Sequence, residues 1–173
     1  MRRTRRLLIL RHAKADAGIG PTRDLIRPLS GEGRRACRLV AKFLAAEGLA
    51  PDLVLCSSST RTRQTVEHIA SALPATVPVL TEDRLYLATA ENLLSRLRDI
   101  DDGVPSVLLV GHNPGIHALA TGLLTSNERE RILTFPTAAL AVEDLVVSRW
   151  AELGPGAARL TAFVTPKSLA ESG

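Results

Sequence analysis

Aromatic residues are scarce in this sequence: Phe, Tyr and Trp fill 3% of its 173 positions. Surfaces that stack nucleobases are built from such rings, so a single-stranded nucleic-acid platform is excluded. Cysteine is scarce too. Cys37 and Cys56 cannot make a disulfide framework, and each falls in a stretch that reads as buried, which suits two reduced thiols in a cytoplasmic protein. Long apolar runs are lacking as well. Nothing approaches the ~20 residues of a membrane span, and the run from Leu7 to Leu10 is too short for a signal-peptide core. There is no GxxxxGK(S/T) phosphate loop and no GxSxG elbow, and Gly154-Pro155-Gly156 lacks the third glycine of a dinucleotide loop. His112 and His117 lie about 140° apart around a helix rather than on one face, so no metal site and no cofactor are expected.

What is present is aliphatic. Hydrophobic residues make up 45% of the chain, enough for a real core, and the length suits a single domain over residues 1–173. Residues 1–5 read as a solvated basic arm and 167–173 as a flexible tail. The net charge is +4, and 19 of the 22 basic residues are arginine, the side chain best suited to gripping phosphate or carboxylate with two bonds. The excess charge favours acidic partners. Without a dense basic stripe it does not suggest nucleic acid.

Apolar runs at 7–10, 53–56 and 107–110 read as strands buried on both faces, with a shorter strand at 77–80. Residues 13–29, rich in Gly and Pro, read as a loop. Helices are expected at about 31–48 behind the cap Ser30, from Ser57–Thr60 to Pro74, at 90–100, and at about 114–124 with Asn113 as N-cap and Pro114 as first residue. Two further strands at 139–145 and 159–164 close the chain. The alternation predicts an α/β fold, a three-layer α/β/α sandwich on a mostly parallel sheet.

Three of the strands end in polar residues: Arg11-His12, Ser57 to Arg61, and Gly111-His112-Asn113. In a parallel sheet these ends share one edge, where open α/β sheets bind ligands, and helix N-termini there attract anions. Neutral imidazole is a nucleophile near pH 7, an adjacent Arg keeps it neutral by repulsion, and guanidinium groups offset charge on a transferring phosphoryl group. His68, mid-helix beside Glu67, reads as a surface or satisfied histidine.

These blocks resemble the histidine phosphatase superfamily. Leu10-Arg11-His12-Ala13 is similar to its Arg-His-Gly signature, with Ala13 in place of glycine. Residues 57–65, Ser-Ser-Ser-Thr-Arg-Thr-Arg-Gln-Thr, resemble its second block, and Val110-Gly-His112-Asn-Pro114 its third; the likeness runs from about residue 6 to 124. The segment from Asp24 through Arg27-Pro28-Leu29-Ser30 to Gly33 is similar to SixA-type phosphohistidine phosphatases. The resemblance implies a phosphoglycerate mutase-like fold and a metal-independent phosphatase in which His12 becomes phosphorylated. Arg11 and Arg61 would bind phosphoryl oxygens and His112 would stabilise the transition state. Arg27 would line the entrance, with Asn113 a further substrate-binding candidate. Ester-cleaving members supply a Glu or Asp as general acid after the third strand. Glu82 and Asp83 are the candidates here, though nothing around them resembles an acid motif. An imidazole leaving group needs no dedicated acid, since its free pKa is about 6.5. The expected substrate is therefore phosphohistidine on a signalling protein, and a monomer is favoured. A small-molecule phosphomonoesterase and a non-catalytic phosphate-binding module are the competing readings.

Overall fold

The computed structural model describes residues 4–18 and 20–173, so residues 1–3 of the expected basic arm lie outside the described residues. Arg5 is no part of an arm: it opens strand β1, Arg5–Arg11. Its guanidinium donates to the carbonyls of Ser148 and Val104, stands 3.3 Å from Asp102, and lies over the Trp150 ring. A basic residue whose donors are met by sheet-edge carbonyls extends the strand instead of leaving it.

The other strands are β2, Leu53–Ser57; β3, Val79–Glu82; β4, Ser106–Gly111; β5, Leu140–Leu145; and β6, Ala158–Val164. They form one sheet in the order β3-β2-β4-β1-β5-β6. β1 to β4 run parallel, whereas β5 pairs antiparallel with both β1 and β6. The helices are α1, Gly31–Ala46; α2, Thr60–Ile69; α3, Ala90–Arg98; α4, Gly115–Leu123; α5, Ser126–Arg129; and α6, Pro166–Glu171. Among the described residues no helix is long and apolar enough to cross a membrane.

Both faces of the sheet are covered, which is why the central strands are apolar at every position. Leu7, Ile9, Leu55 and Leu109 point to one side, against Leu93 and Leu97 of α3 and Ile116 and Leu119 of α4. Leu8, Leu10, Val54 and Val110 point to the other, against Cys37, Val40 and Leu44 of α1 and Val66 and Ile69 of α2. The result is the expected α/β/α sandwich.

The differences from the sequence expectations have local causes. α1 stops at Ala46 because Gly48 takes φ 61°, a conformation that ends a helix. α2 passes into a 3-10 turn, Ala70–Ala72, before reaching Pro74. β3 lies two residues later than expected, where Val79 to Glu82 pair with Val54 to Ser57. The loop after β1 contains a 3-10 turn, Pro21–Ile26, and a bridge between Ala15 and Leu29. Asn113 does not cap α4: its Nδ2 donates to the Phe135 carbonyl, and Pro114 holds the cap position with no side-chain bond. The expected flexible tail carries α6, capped by the Thr165 hydroxyl.

Candidate active site

His12, Ser57 and His112 stand at the C-terminal ends of β1, β2 and β4, three adjacent strands of the parallel section. Arg61 follows in the first turn of α2, whose N-cap Ser59 accepts from Thr62 N–H. The sheet edge thus gathers His12, Arg61 and His112, all buried. The two imidazoles lie with ring centroids 5.2 Å apart.

Hydrogen bonding fixes both rings. His12 Nδ1 meets the Ala13 carbonyl at 2.8 Å. A carbonyl only accepts, so Nδ1 carries the proton and Nε2 keeps a free lone pair. His112 is the reverse. Arg61 Nη2 can only donate, and it reaches His112 Nδ1 at 3.3 Å; the proton is therefore on Nε2, which donates to Ser57 Oγ at 2.7 Å. Burial, more than any neighbouring charge, pushes His12 down to about 4, with Arg61, Arg11 and Arg27 adding to it. Burial likewise pushes His112 down to about 3, helped by His12 and Arg61. The sequence argument credited arginine repulsion; desolvation is the larger cause.

The second sequence block proves to be a fastening. Thr65 Oγ1 accepts from Ala13 N–H at 3.0 Å and donates to the Arg61 carbonyl at 2.7 Å. Gln64 Oε1 accepts from Leu29 N–H at 2.8 Å. Together they tie the loop after β1 to α2, and so His12 to Arg61. Ala13, in the place of the usual glycine, is fully buried with its N–H satisfied by Thr65.

Arg11 Nη1 and Asn113 Nδ2 both donate to the Phe135 carbonyl, at 3.0 and 2.9 Å. Arg11 Nε, Arg27 Nε and Asn113 Oδ1 are buried without a partner among the described residues. Two unpaired guanidinium donors beside two neutral imidazoles make a site suited to an anion.

Sequence reasoning gave no role to Asp24 and did not single out Tyr86. Asp24 receives Arg61 twice, Nη1 on its carbonyl at 2.7 Å and Nη2 on Oδ2 at 3.0 Å. The Tyr86 hydroxyl donates to the same Oδ2, and the Tyr86 ring meets His112 edge-on at 5.3 Å. The clue for Asp24 was its place three residues before Arg27; the lone tyrosine, on a 3-10 turn after β3, gave no signal.

The other candidates stand apart. Glu82 is held by Arg96, with bonds of 2.8 to 3.0 Å, and by Arg84 at 2.7 Å, which keep it below the usual carboxylate range. Asp83 is exposed. Neither forms a hydrogen bond or ion pair with His12, Arg61 or His112. His68 is exposed, and His117 is bonded to the Ile132 carbonyl. Among the described residues no group of three or more His, Cys, Asp and Glu side chains is arranged to hold a metal ion.

Comparisons with known proteins identify the family. Residues 7–86 match the family model for the histidine phosphatase superfamily, branch 1. An uncharacterised protein of Mycobacterium tuberculosis is 35% identical over 164 residues, 91% of this chain and 100% of that one. Phosphohistidine phosphatase SixA of Escherichia coli is 28% identical, over 80% of this chain and 86% of its own. A structure from Agrobacterium tumefaciens assigned to phosphohistidine phosphatase SixA superposes with a TM-score of 0.81 at 32% identity, over 94% of this chain and 98% of that one. The protein histidine phosphatase SixA in complex with tungstate superposes at 0.79 with 25% identity, over 95% and 99%. The chain belongs to the histidine phosphatase superfamily, on its SixA-type branch, and is a phosphatase of that kind.

Proposed function

We propose that this phosphatase removes the phosphoryl group from phosphohistidine on a cytoplasmic signalling protein, without a metal, through a phosphohistidine intermediate on His12. The observation that carries the reading is a neutral imidazole with a free Nε2 lone pair, set beside unpaired guanidinium donors, with no carboxylic acid among the described residues of the site free to protonate an alkoxide. A SixA relative forms a complex with tungstate, an oxyanion of the same shape as phosphate, which supports a phosphoryl substrate.

His12 Nε2 attacks phosphorus, and the bond to the leaving imidazole nitrogen breaks. Arg11 and Arg61 carry the charge of the equatorial oxygens. His112 turns its Nε2–H from Ser57 to a phosphoryl oxygen, a donor fixed in advance by Arg61 on Nδ1. Arg27 lines the entrance, and Asn113 orients Arg11 through their shared carbonyl. Water then attacks the phosphorylated His12, the N–P electron pair returns to Nε2, and phosphate leaves.

The test is phosphate release from a histidine-phosphorylated protein and from an aryl phosphate, with wild type and His12→Ala. Release from phosphohistidine that vanishes in His12→Ala is expected. Release from the ester alone would move the substrate to small phosphomonoesters. Phosphate binding without turnover of either would overturn the enzymatic mechanism.

A further inference from the structure

A carboxylate stands at the mouth of this site. Asp24 lies in the 3-10 turn after β1, with its side chain 32% exposed, whereas His12, Arg61 and His112 behind it are buried. Its Oδ2 accepts from Arg61 and Tyr86; its Oδ1 meets only Arg27 Nη1, at a long 3.4 Å. The Tyr86 hydrogen bond, and then Arg61, hold the group below the usual carboxylate range against the effect of burial. Asp24 is therefore an ion near neutral pH. An ion cannot hand a proton to a departing alkoxide, but it attracts a leaving group that arrives with its own positive charge.

We infer that Asp24 determines leaving-group specificity, its carboxylate pairing with the protonated ring of a phosphorylated imidazole, an inference that rests on the phosphohistidine reading above. In the protonated form of that substrate one ring nitrogen carries the phosphoryl group and the other a proton, so the ring is cationic. His12 Nε2 gives its lone pair to phosphorus. The substrate P–N bond breaks, its electron pair returns to the ring, and the ring leaves as neutral imidazole with the proton it brought. No proton moves from the protein. An anion beside the ring raises the ring's pKa in the complex and enlarges the fraction ready to leave. A phosphate monoester brings no such cation, and negative charge building on its leaving oxygen is repelled by the same carboxylate.

The groups facing Asp24 are Arg61 from α2, Tyr86 from the turn after β3, Arg27 from its own loop, and neutral His112 beyond Arg61. Arg61 and Tyr86 share Oδ2, whereas Oδ1 carries only the long Arg27 contact and is the oxygen an incoming ring would meet.

The experiment measures kcat/KM for phosphoimidazole and for an aryl phosphate, and the pH profile of kcat for phosphoimidazole. It uses wild type, Asp24→Asn, Asp24→Ser and Tyr86→Phe, with folding checked by circular dichroism. In the uncharged Asp24 variants the ratio of N–P to O–P kcat/KM is expected to fall at least about tenfold. The alkaline limb of the phosphoimidazole profile moves to lower pH. Tyr86→Phe disturbs the same network but keeps the carboxylate, so both the ratio and the limb stay near wild type. A ratio and limb unchanged in Asp24→Asn or Asp24→Ser, with both substrates slowed alike, would reduce Asp24 to a support for Arg61 and overturn the inference alone. Wild-type protein inert toward phosphoimidazole yet active on the ester would overturn the phosphohistidine reading, and this inference with it.

Discussion

His12 and His112 present neighbouring imidazoles in opposite tautomers, their planes tilted by 53°. One offers a lone pair on Nε2 and the other a proton on Nε2, the division of labour that phosphoryl transfer needs. Replacing His12 by Ala is expected to abolish turnover. Replacing His112 by Ala should lower kcat by about 10²–10³ while the protein still takes up phosphate from substrate, as loss of one preorganised donor does. Rapid-quench trapping of phosphorylated enzyme checks the difference: His112→Ala still labels, more slowly, and His12→Ala never does.

Both rings stay neutral well below the usual histidine value. In histidine-selective NMR, His12 should titrate near 4 and His112 near 3. Stability follows from the same shifts. The unfolded chain takes up these protons near pH 6.5 and the folded one does not, so stability falls as pH drops from about 6.5 towards 4. Denaturant melts at pH 7.5 and 4.5 should show a smaller loss in His112→Gln than in wild type.

Glu82 stood as a possible general acid on sequence grounds, and its bonds to Arg96 and Arg84 place it in a structural clamp. Glu82→Gln should leave turnover within about threefold of wild type. Unfolding should become easier by about 1–3 kcal/mol, since Arg96 is mostly buried and loses its charged partner. A drop in kcat of two orders or more, with little change in stability, would restore Glu82 as an acid.

The sandwich and the gathering of the candidate site residues at one sheet edge were legible because their signals are local. Three runs of continuous apolar residues, at 7–10, 53–56 and 107–110, read as strands covered on both faces, and a polar residue that ends such a run emerges at the sheet edge. Arg11, His12 and His112 fall at those ends; Arg61 follows one turn into a helix. What was not legible depends on folding over distance. Asp24 and Tyr86 meet across 62 positions of the chain, and nothing beside either residue announces the other. Asn113 has the right composition for a helix cap, yet the Phe135 carbonyl draws its side chain away. Arg5 looked like solvated arm because its acceptors, Val104 and Ser148, lie far along the sequence.

Two glycines mark close backbone contacts that hold the site. A Cβ at Gly33 in α1 would collide with the Lys14 carbonyl, and one at Gly115 in α4 with the Ala88 carbonyl. Gly115 lies three residues after His112, and Ala88 two residues after Tyr86. Gly115→Ala should therefore destabilise by about 1–3 kcal/mol, the usual cost of overpacking, and lower turnover as well. Gly122→Ala, where a Cβ meets nothing within 4 Å, is the control and should be neutral or stabilising.

Glu143 is fully buried in β5, facing the same layer as Ala141 and Leu145, and both its carboxyl oxygens lack a partner among the described residues. Burial, with the charge of Glu128 added, raises its pKa well above the ordinary value. The folded protein thus keeps a proton that the unfolded chain releases above about pH 4.3. Stability on this account is full at low pH and declines as pH rises through that range towards the raised folded value. Replacing Glu143 by Met keeps the volume and removes the titration. The variant should gain about 1–3 kcal/mol over wild type at pH 8 and less at pH 5, read from denaturant melts at the two values. A Met variant less stable than wild type at pH 8 would mean that Glu143 has a partner in solution and is held there as an ion.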